Sequence, residues 1–320
     1  MPTSEHRPIV SPLIAIAFGI LAVSTGSIFV RNAQAYAPSL VIAAWRLALA
    51  TLILFPIALT RNRAELRGMQ PRAILLGLLS GFFLALHFAT WISSLEYTSV
   101  ASSVVFVSTA PLWVAMLSPL ILKEPMTRPI LYGMGLAFVG GVIVGLSDSC
   151  SLGRSGLVCP PFVEFIQGRA FFGDLLALVG AWMAAGYLII GRRLRTSISL
   201  VPYIFVVYGM AALVLIGLML ILGLPAVGYP PQAYLLFLAL AVIPQLLGHS
   251  TFNWALGYLS AAYVSITLLG EPIGSAVLAY FFLNEIPKPL MLFGAILILV
   301  GIYIASRGET SQKERLESTG

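Results

Sequence analysis

Charge is what this 320-residue sequence has least of: Asp, Glu, Lys and Arg together make up 9% of it. A soluble domain of such a size carries roughly 25%, so most of the surface must face lipid instead of water. Cysteine is limited to two residues and histidine to three, and no metal site or bound cofactor is expected from them. No Gly-x-x-x-x-Gly-Lys-Ser/Thr loop occurs, which excludes ATP as a direct energy source. A His-Glu-x-x-His zinc motif and a Gly-x-Ser-x-Gly nucleophile elbow are missing as well, which argues against an enzyme.

What the sequence has is hydrophobicity, 59% by residue with a mean hydropathy of +0.97. Apolar runs of about 20 residues, enough to cross ~30 Å of hydrocarbon, occupy 11–30, 39–60, 73–95, 98–122, 129–147, 170–191, 200–223, 232–256, 260–283 and 288–306. Runs so continuously apolar argue for helices over barrel strands, because the backbone must satisfy itself in lipid. The first run follows His6 and Arg7, but it is long for a signal peptide and reads as a retained helix. The expected class is an all-α integral membrane protein of ten transmembrane helices. No loop is large enough for a soluble domain, so function must lie inside the bundle.

The chain also contains one half twice. Shifted by 161 residues, Leu86 to Ile143 falls on Leu247 to Ile304 without a gap. Pro111 meets Pro272, Glu124 meets Glu285, Gly133 meets Gly294 and Gly140 meets Gly301, and Gly19 meets Gly180 at the same offset. Many membrane transporters are built from such duplicated units. Five helices per half is an odd number, so the second copy must insert upside down. The reading is an inverted 5+5 structural repeat around a central cavity, with halves at 11–147 and 170–306, an extracytoplasmic loop at 148–169 and a cytoplasmic tail at 307–320. Basic residues sort thirteen to four in favour of the side holding both termini, which the positive-inside rule makes cytoplasmic. The formal charge of +6 is thus a topology signal and gives no reason to expect nucleic acid as a partner.

Cys150 and Cys159 both fall in the 148–169 loop. On the oxidising side of the membrane they read as a disulfide; free thiols are the alternative.

Polar residues inside spans are costly and usually face a cavity or a partner. Glu271 lies mid-span beside Pro272, and its repeat mate is Ala110, so the fold does not require the carboxylate. Thr267, Glu271 and Ser275 stand four apart on one helix face. Pro272 and its mate Pro111 should kink their helices. Arg46 could bind an anion, pair with a carboxylate or hydrogen-bond helix-end carbonyls. His87 with Trp91, and His249 with Asn253, are further candidates, since imidazole relays protons near neutral pH, although a lone histidine in a bundle is more often a satisfied hydrogen-bonding residue. Ser102, Phe106, Thr109 and Trp113 form a mixed stripe suited to organic molecules, and ordinary packing produces such stripes too. Trp182 and Tyr187 are weighed the same way, and Gly77 and Gly81 read as packing points.

The two five-helix halves, Arg46 in Arg-Leu-Ala-Leu-Ala, the helix ends Leu122-Lys123-Glu124-Pro125 and Leu283-Asn284-Glu285, and the Glu271-Pro272 pair together resemble the EamA-like family of the drug/metabolite transporter superfamily. The resemblance covers about residues 11–306. It implies ten helices, cytoplasmic termini, an inverted repeat, a central cavity and export of metabolites, amino acids or drug-like compounds. The loop at 148–169 is longer than that family's usual connection. Glu124 and Glu285, at helix ends, carry over as structural.

The expectation is therefore a secondary transporter in the lipid bilayer of a bacterial inner membrane. It would export small metabolites such as amino acids by alternating access at a midplane cavity. Its partners would be a small-molecule substrate and, as candidate coupling ion, protons through Glu271; facilitated diffusion is equally permitted. An intramembrane enzyme and a membrane receptor or scaffold are the rival classes. Substrate identity and oligomeric state are not set by these residues.

Overall fold

A computed structural model describes residues 10–307 apart from 125, 150, 154–155, 159–167, 284–285, 287–288, 291, 295, 302 and 306. The cysteine pair, Glu285 and nearly all of the 307–320 tail therefore lie outside the described residues. Helices form over the apolar runs, because only internal hydrogen bonds can satisfy a backbone in hydrocarbon. In chain order they are α1 (Pro12–Ala33), α2 (Ser39–Thr60), α3 (Arg63–Gly68), α4 (Pro71–Ser94), α5 (Val100–Val107), α6 (Ala110–Ile121), α7 (Arg128–Ser149), α8 (Arg169–Arg195), α9 (Leu200–Ile221), α10 (Pro231–Leu240), α11 (Ser250–Ala255), α12 (Ala261–Thr267) and α13 (Glu271–Leu283), followed by α14 (Leu292–Ala305). A π-helical stretch, Ala241–His249, joins α10 to α11, and a 3-10 turn, Leu268–Gly270, joins α12 to α13. Within the expected loop, β1 (Ser151–Gly153) pairs antiparallel with β2 (Gly156–Val158).

Among the described residues, seven helical stretches are long and apolar enough to cross a membrane: α1, α2, α4, α8, α9, Pro231–Ala255 and Ala261–Phe282. Shorter apolar helices cover 110–121, 128–143 and 292–305. Their outer faces are apolar; Leu120 and Ile221 are 78% and 82% exposed. Serines, Arg46 and Asn253 are turned inward, the inverse of a soluble protein and the arrangement that lipid selects.

The expected span 98–122 is two helices. Pro111 has no N–H to offer the Val107 carbonyl, so α5 stops at Val107 and α6 begins at Ala110. Thr109 N instead bonds Phe106 O at 3.1 Å. The same place in the second half holds the 3-10 turn ahead of Pro272. Each proline thus sits in the first turn of a new helix, where its missing donor costs nothing, and the expected kinks take the form of interruptions.

Contacts recur at the 161-residue offset. Arg31 Nη1 donates to Leu95 O at 2.7 Å and Arg192 Nη1 to Leu256 O at 2.8 Å. Gln34 Nε2 donates to Ile92 O and Arg195 Nε to Asn253 O, both at 2.9 Å. Ser99 and Ser260 cap α5 and α12 through the amides of Ser102 and Tyr263. Between halves, α7 and α14 run side by side in opposite directions. A side chain at Gly133 would strike the Gly301 carbonyl, and one at Gly140 the Gly294 carbonyl; each contact is the other's repeat image.

The packing expected at Gly77 and Gly81 is against α9, where a Cβ on Gly81 would come 2.7 Å from Met210 Cβ. Asp174, in the second turn of α8, accepts from Thr98 and Ser102 hydroxyls at 3.0 and 2.8 Å and anchors the start of α5.

Candidate functional site

A cavity inside the bundle is lined from both halves of the chain. α2 supplies Arg46, α4 His87 and Trp91, α8 Tyr187, the π-helical stretch His249, and α13 Glu271. Pro111 lines it at the α5–α6 interruption. The two interrupted helices therefore face the cavity together, where backbone freed from regular helix is tolerated in a membrane protein.

Arg46 is 1% exposed. Its Nε donates to Gln245 Oε1 at 2.8 Å, and its guanidinium carbon lies 4.1 Å from the centroid of the Phe88 ring. Its Nη1 has no hydrogen-bond partner among the described protein groups. No carboxylate of a described residue comes within 4.0 Å; the ion pair found among those residues joins Glu124 and Arg192. Glu271 opens α13 with its carboxylate at the helix N-terminus, where the macrodipole favours negative charge.

His87 sits 3.0 Å, Nδ1 to O, from the Gly180 carbonyl. A carbonyl only accepts, so the proton is on Nδ1 and Nε2 is left as the acceptor. The His87 ring stacks on Trp91 with a 4° interplanar angle at 6.1 Å and meets His249 at 6.4 Å. Phe88 joins the group by contacting His249 edge-on at 5.2 Å. His87, His249 and Trp91 give the cavity an aromatic wall, with Phe88 buried against Arg46 and not lining it; the Trp91 Nε1 donor is buried with no partner among the described residues.

Seven of the sequence candidates thus line one space: Glu271, His87, His249, Trp91, Arg46, Pro111 and Tyr187. The others do not line it. Asn253 is fully buried beside it and donates to Tyr208 OH at 3.3 Å. Thr109 donates to Phe106 O at 2.8 Å at the helix interruption. Trp113 packs edge-on against Trp182, centroids 5.4 Å apart. Thr267 bonds back to Val264 O at 2.7 Å, and Ser275 ties α13 to α1 through Ser27 Oγ and Ser24 O, both at 3.2 Å. Pro272 follows Glu271 without lining the cavity. Gln245 was missed. Its signal was an amide directly after Pro244 inside an apolar run.

The EamA-like transporter family model matches residues 10–146 and 171–307. An uncharacterized transporter, YyaM, of Bacillus subtilis (strain 168) is 25% identical over 302 residues, covering 92% of each chain. The pseudopaline exporter CntI of Pseudomonas aeruginosa is 24% identical over 295 residues, covering 91% of this chain and 95% of its own. A solved crystal structure superposes with a TM-score of 0.70 at 19% identity over 94% of this chain and 98% of its own, a likeness of fold alone.

Proposed function

This chain belongs to the EamA-like transporter family and is a multi-pass integral membrane protein, and on that premise we propose that it is a secondary transporter exporting small metabolites such as amino acids across a bacterial inner membrane. The observation that carries the reading is the cavity between Arg46 and Glu271, lined from both halves. A site made by two halves can change its opening when one half rocks against the other. The exporter name of one relative supports the direction, and the transporter names of the relatives speak against an enzyme.

We read the fold as ten helices in an inverted 5+5 repeat with both termini cytoplasmic. The antiparallel passage of α7 and α14, with its mirrored glycine contacts, supports a pseudo-two-fold axis in the membrane plane. The paired hydrogen bonds of Arg31 and Arg192 support equivalent halves.

In this mechanism Glu271 is the proton-coupling group. It faces the cavity from a helix start and has no cation of a described residue within ion-pair distance, so a proton and a substrate can compete for it. The free Nε2 of His87, with His249 beside it, offers a secondary acceptor. The test is efflux of an amino-acid and metabolite panel from proteoliposomes with and without an imposed pH gradient. Gradient-stimulated movement is expected. A protein that moves no compound of the panel under either condition would refute the reading.

A further inference from the structure

Arg46 and Gln245 come from opposite halves of the chain and meet in the bundle, and the nature of their bond is informative. An arginine buried to 1% is costly unless its charge is answered. Here the answer from the protein is a neutral amide oxygen at 2.8 Å and the face of Phe88 at 4.1 Å. Both hold the guanidinium in place, and neither cancels its charge. His87 and His249 face the same cavity and carry no negative charge; Glu271 faces it too, beyond 4.0 Å. Nη1 is left with no hydrogen-bond partner among the described residues.

The device that presents Gln245 is local. Pro244 and Gln245 lie in the π-helical stretch Ala241–His249, a form rare in proteins and frequent at functional sites. The loosened turn leaves the Gln245 carbonyl to accept from Ser250 Oγ at 3.3 Å. The Gln245 side chain is fully buried and spends its oxygen on Arg46 Nε. Engaging Nε fixes the plane of the guanidinium and leaves the Nη edge for a planar anion, which it binds in a two-pronged fashion.

The geometry points to a carboxylate-acceptor subsite in the cavity: Arg46 receives the carboxylate of the transported molecule, and Gln245 is the positioning residue that aims it. The aromatic wall of His87 and Trp91 then takes the apolar part of the same molecule. This deepens the transporter reading and rests on it for its physiological meaning, but binding can be tested without transport.

The experiment compares benzoate with benzamide, near-isosteric probes that differ in charge, by thermal shift and calorimetric titration of the full-length protein in detergent. A ligand that binds the native state raises its melting temperature. Benzoate is expected to bind and benzamide to bind at least tenfold more weakly. Gln245→Glu places a carboxylate on Arg46 from within, so the folded variant should lose benzoate binding at least tenfold while its melting temperature is held or raised. Gln245→Leu should weaken benzoate binding several-fold while leaving the weak benzamide binding alone; Arg46→Gln should erase the difference between the probes. A purely structural Gln245 would move both probes together. Equal binding of the two probes, no benzoate binding to the unaltered protein, or full benzoate binding by Gln245→Glu would each overturn the subsite. Benzoate binding with no transport in proteoliposomes would sink the transporter reading and leave the subsite standing, and the converse result would do the reverse.

Discussion

Glu124, after the last turn of α6, holds the two halves of the chain together through Arg192: Oε1 accepts from Arg192 Nε at 2.6 Å, and Oε2 from the Ala261 amide at 3.2 Å. Lys123 takes a left-handed φ of 58° just before it, ending α6. Arg192 uses its other arm on Leu256 O. One carboxylate therefore ties the end of α6 to α8 and to the start of α12.

Glu124→Gln should lower stability by about 1–3 kcal/mol, the worth of a charge-assisted, largely buried interaction. A double-mutant cycle with Arg192→Gln, read as melting temperature in detergent, should show coupling of about 0.5–3 kcal/mol. Additive effects would mean that the pair is no tie at all.

The Gly133 and Gly140 contacts predict a steric asymmetry along one helix. Gly133→Ala drives a methyl into the Gly301 carbonyl and should cost about 1–3 kcal/mol. Gly135→Ala, two residues away, meets nothing within 4 Å and should gain up to about 1 kcal/mol from helix propensity. Equal melting temperatures for the two variants would place α7 wrongly.

Trp91→Phe keeps the stacked ring beside His87 and removes the unpartnered Nε1 donor. Its expected effect is a rise in KM of about tenfold, or about 1.4 kcal/mol, with the turnover rate unchanged. A change confined to turnover would remove Trp91 from substrate contact.

Glu271→Gln freezes the carboxyl in a neutral form. If proton exchange at Glu271 drives export, acid outside should accelerate efflux by the unaltered protein, and the variant should lose that acceleration while keeping gradient-independent exchange. An unchanged response to the imposed gradient would rule out coupling at this residue.

The polar residues inside apolar runs pointed to the cavity well. Arg46, His87, Trp91, His249 and Glu271 were all legible because lipid tolerates such groups only when they face one another or a cavity. Lists made by extending helical spacing from them did less well. A continuous helix would put Thr267 and Ser275 on the Glu271 face, but the 3-10 turn at Leu268–Gly270 resets the rotation there. The same spacing rule pairs Asn253 with His249, but it runs across the end of the π-helical stretch. Thr109 and Trp113 lie at and beyond the interruption before α6.

Hydrophobic length, the 161-residue duplication and the few buried charges are properties of the chain in one dimension. They determined the membrane class, the family resemblance and the principal cavity residues. Which faces converge depends on where helices lose register and on which small residues let them touch. That is why the meeting of Arg46 with Gln245, and of Glu124 with Arg192, was decided only by tertiary structure: each bond joins positions from different halves of the chain, and no local periodicity encodes a contact across that distance.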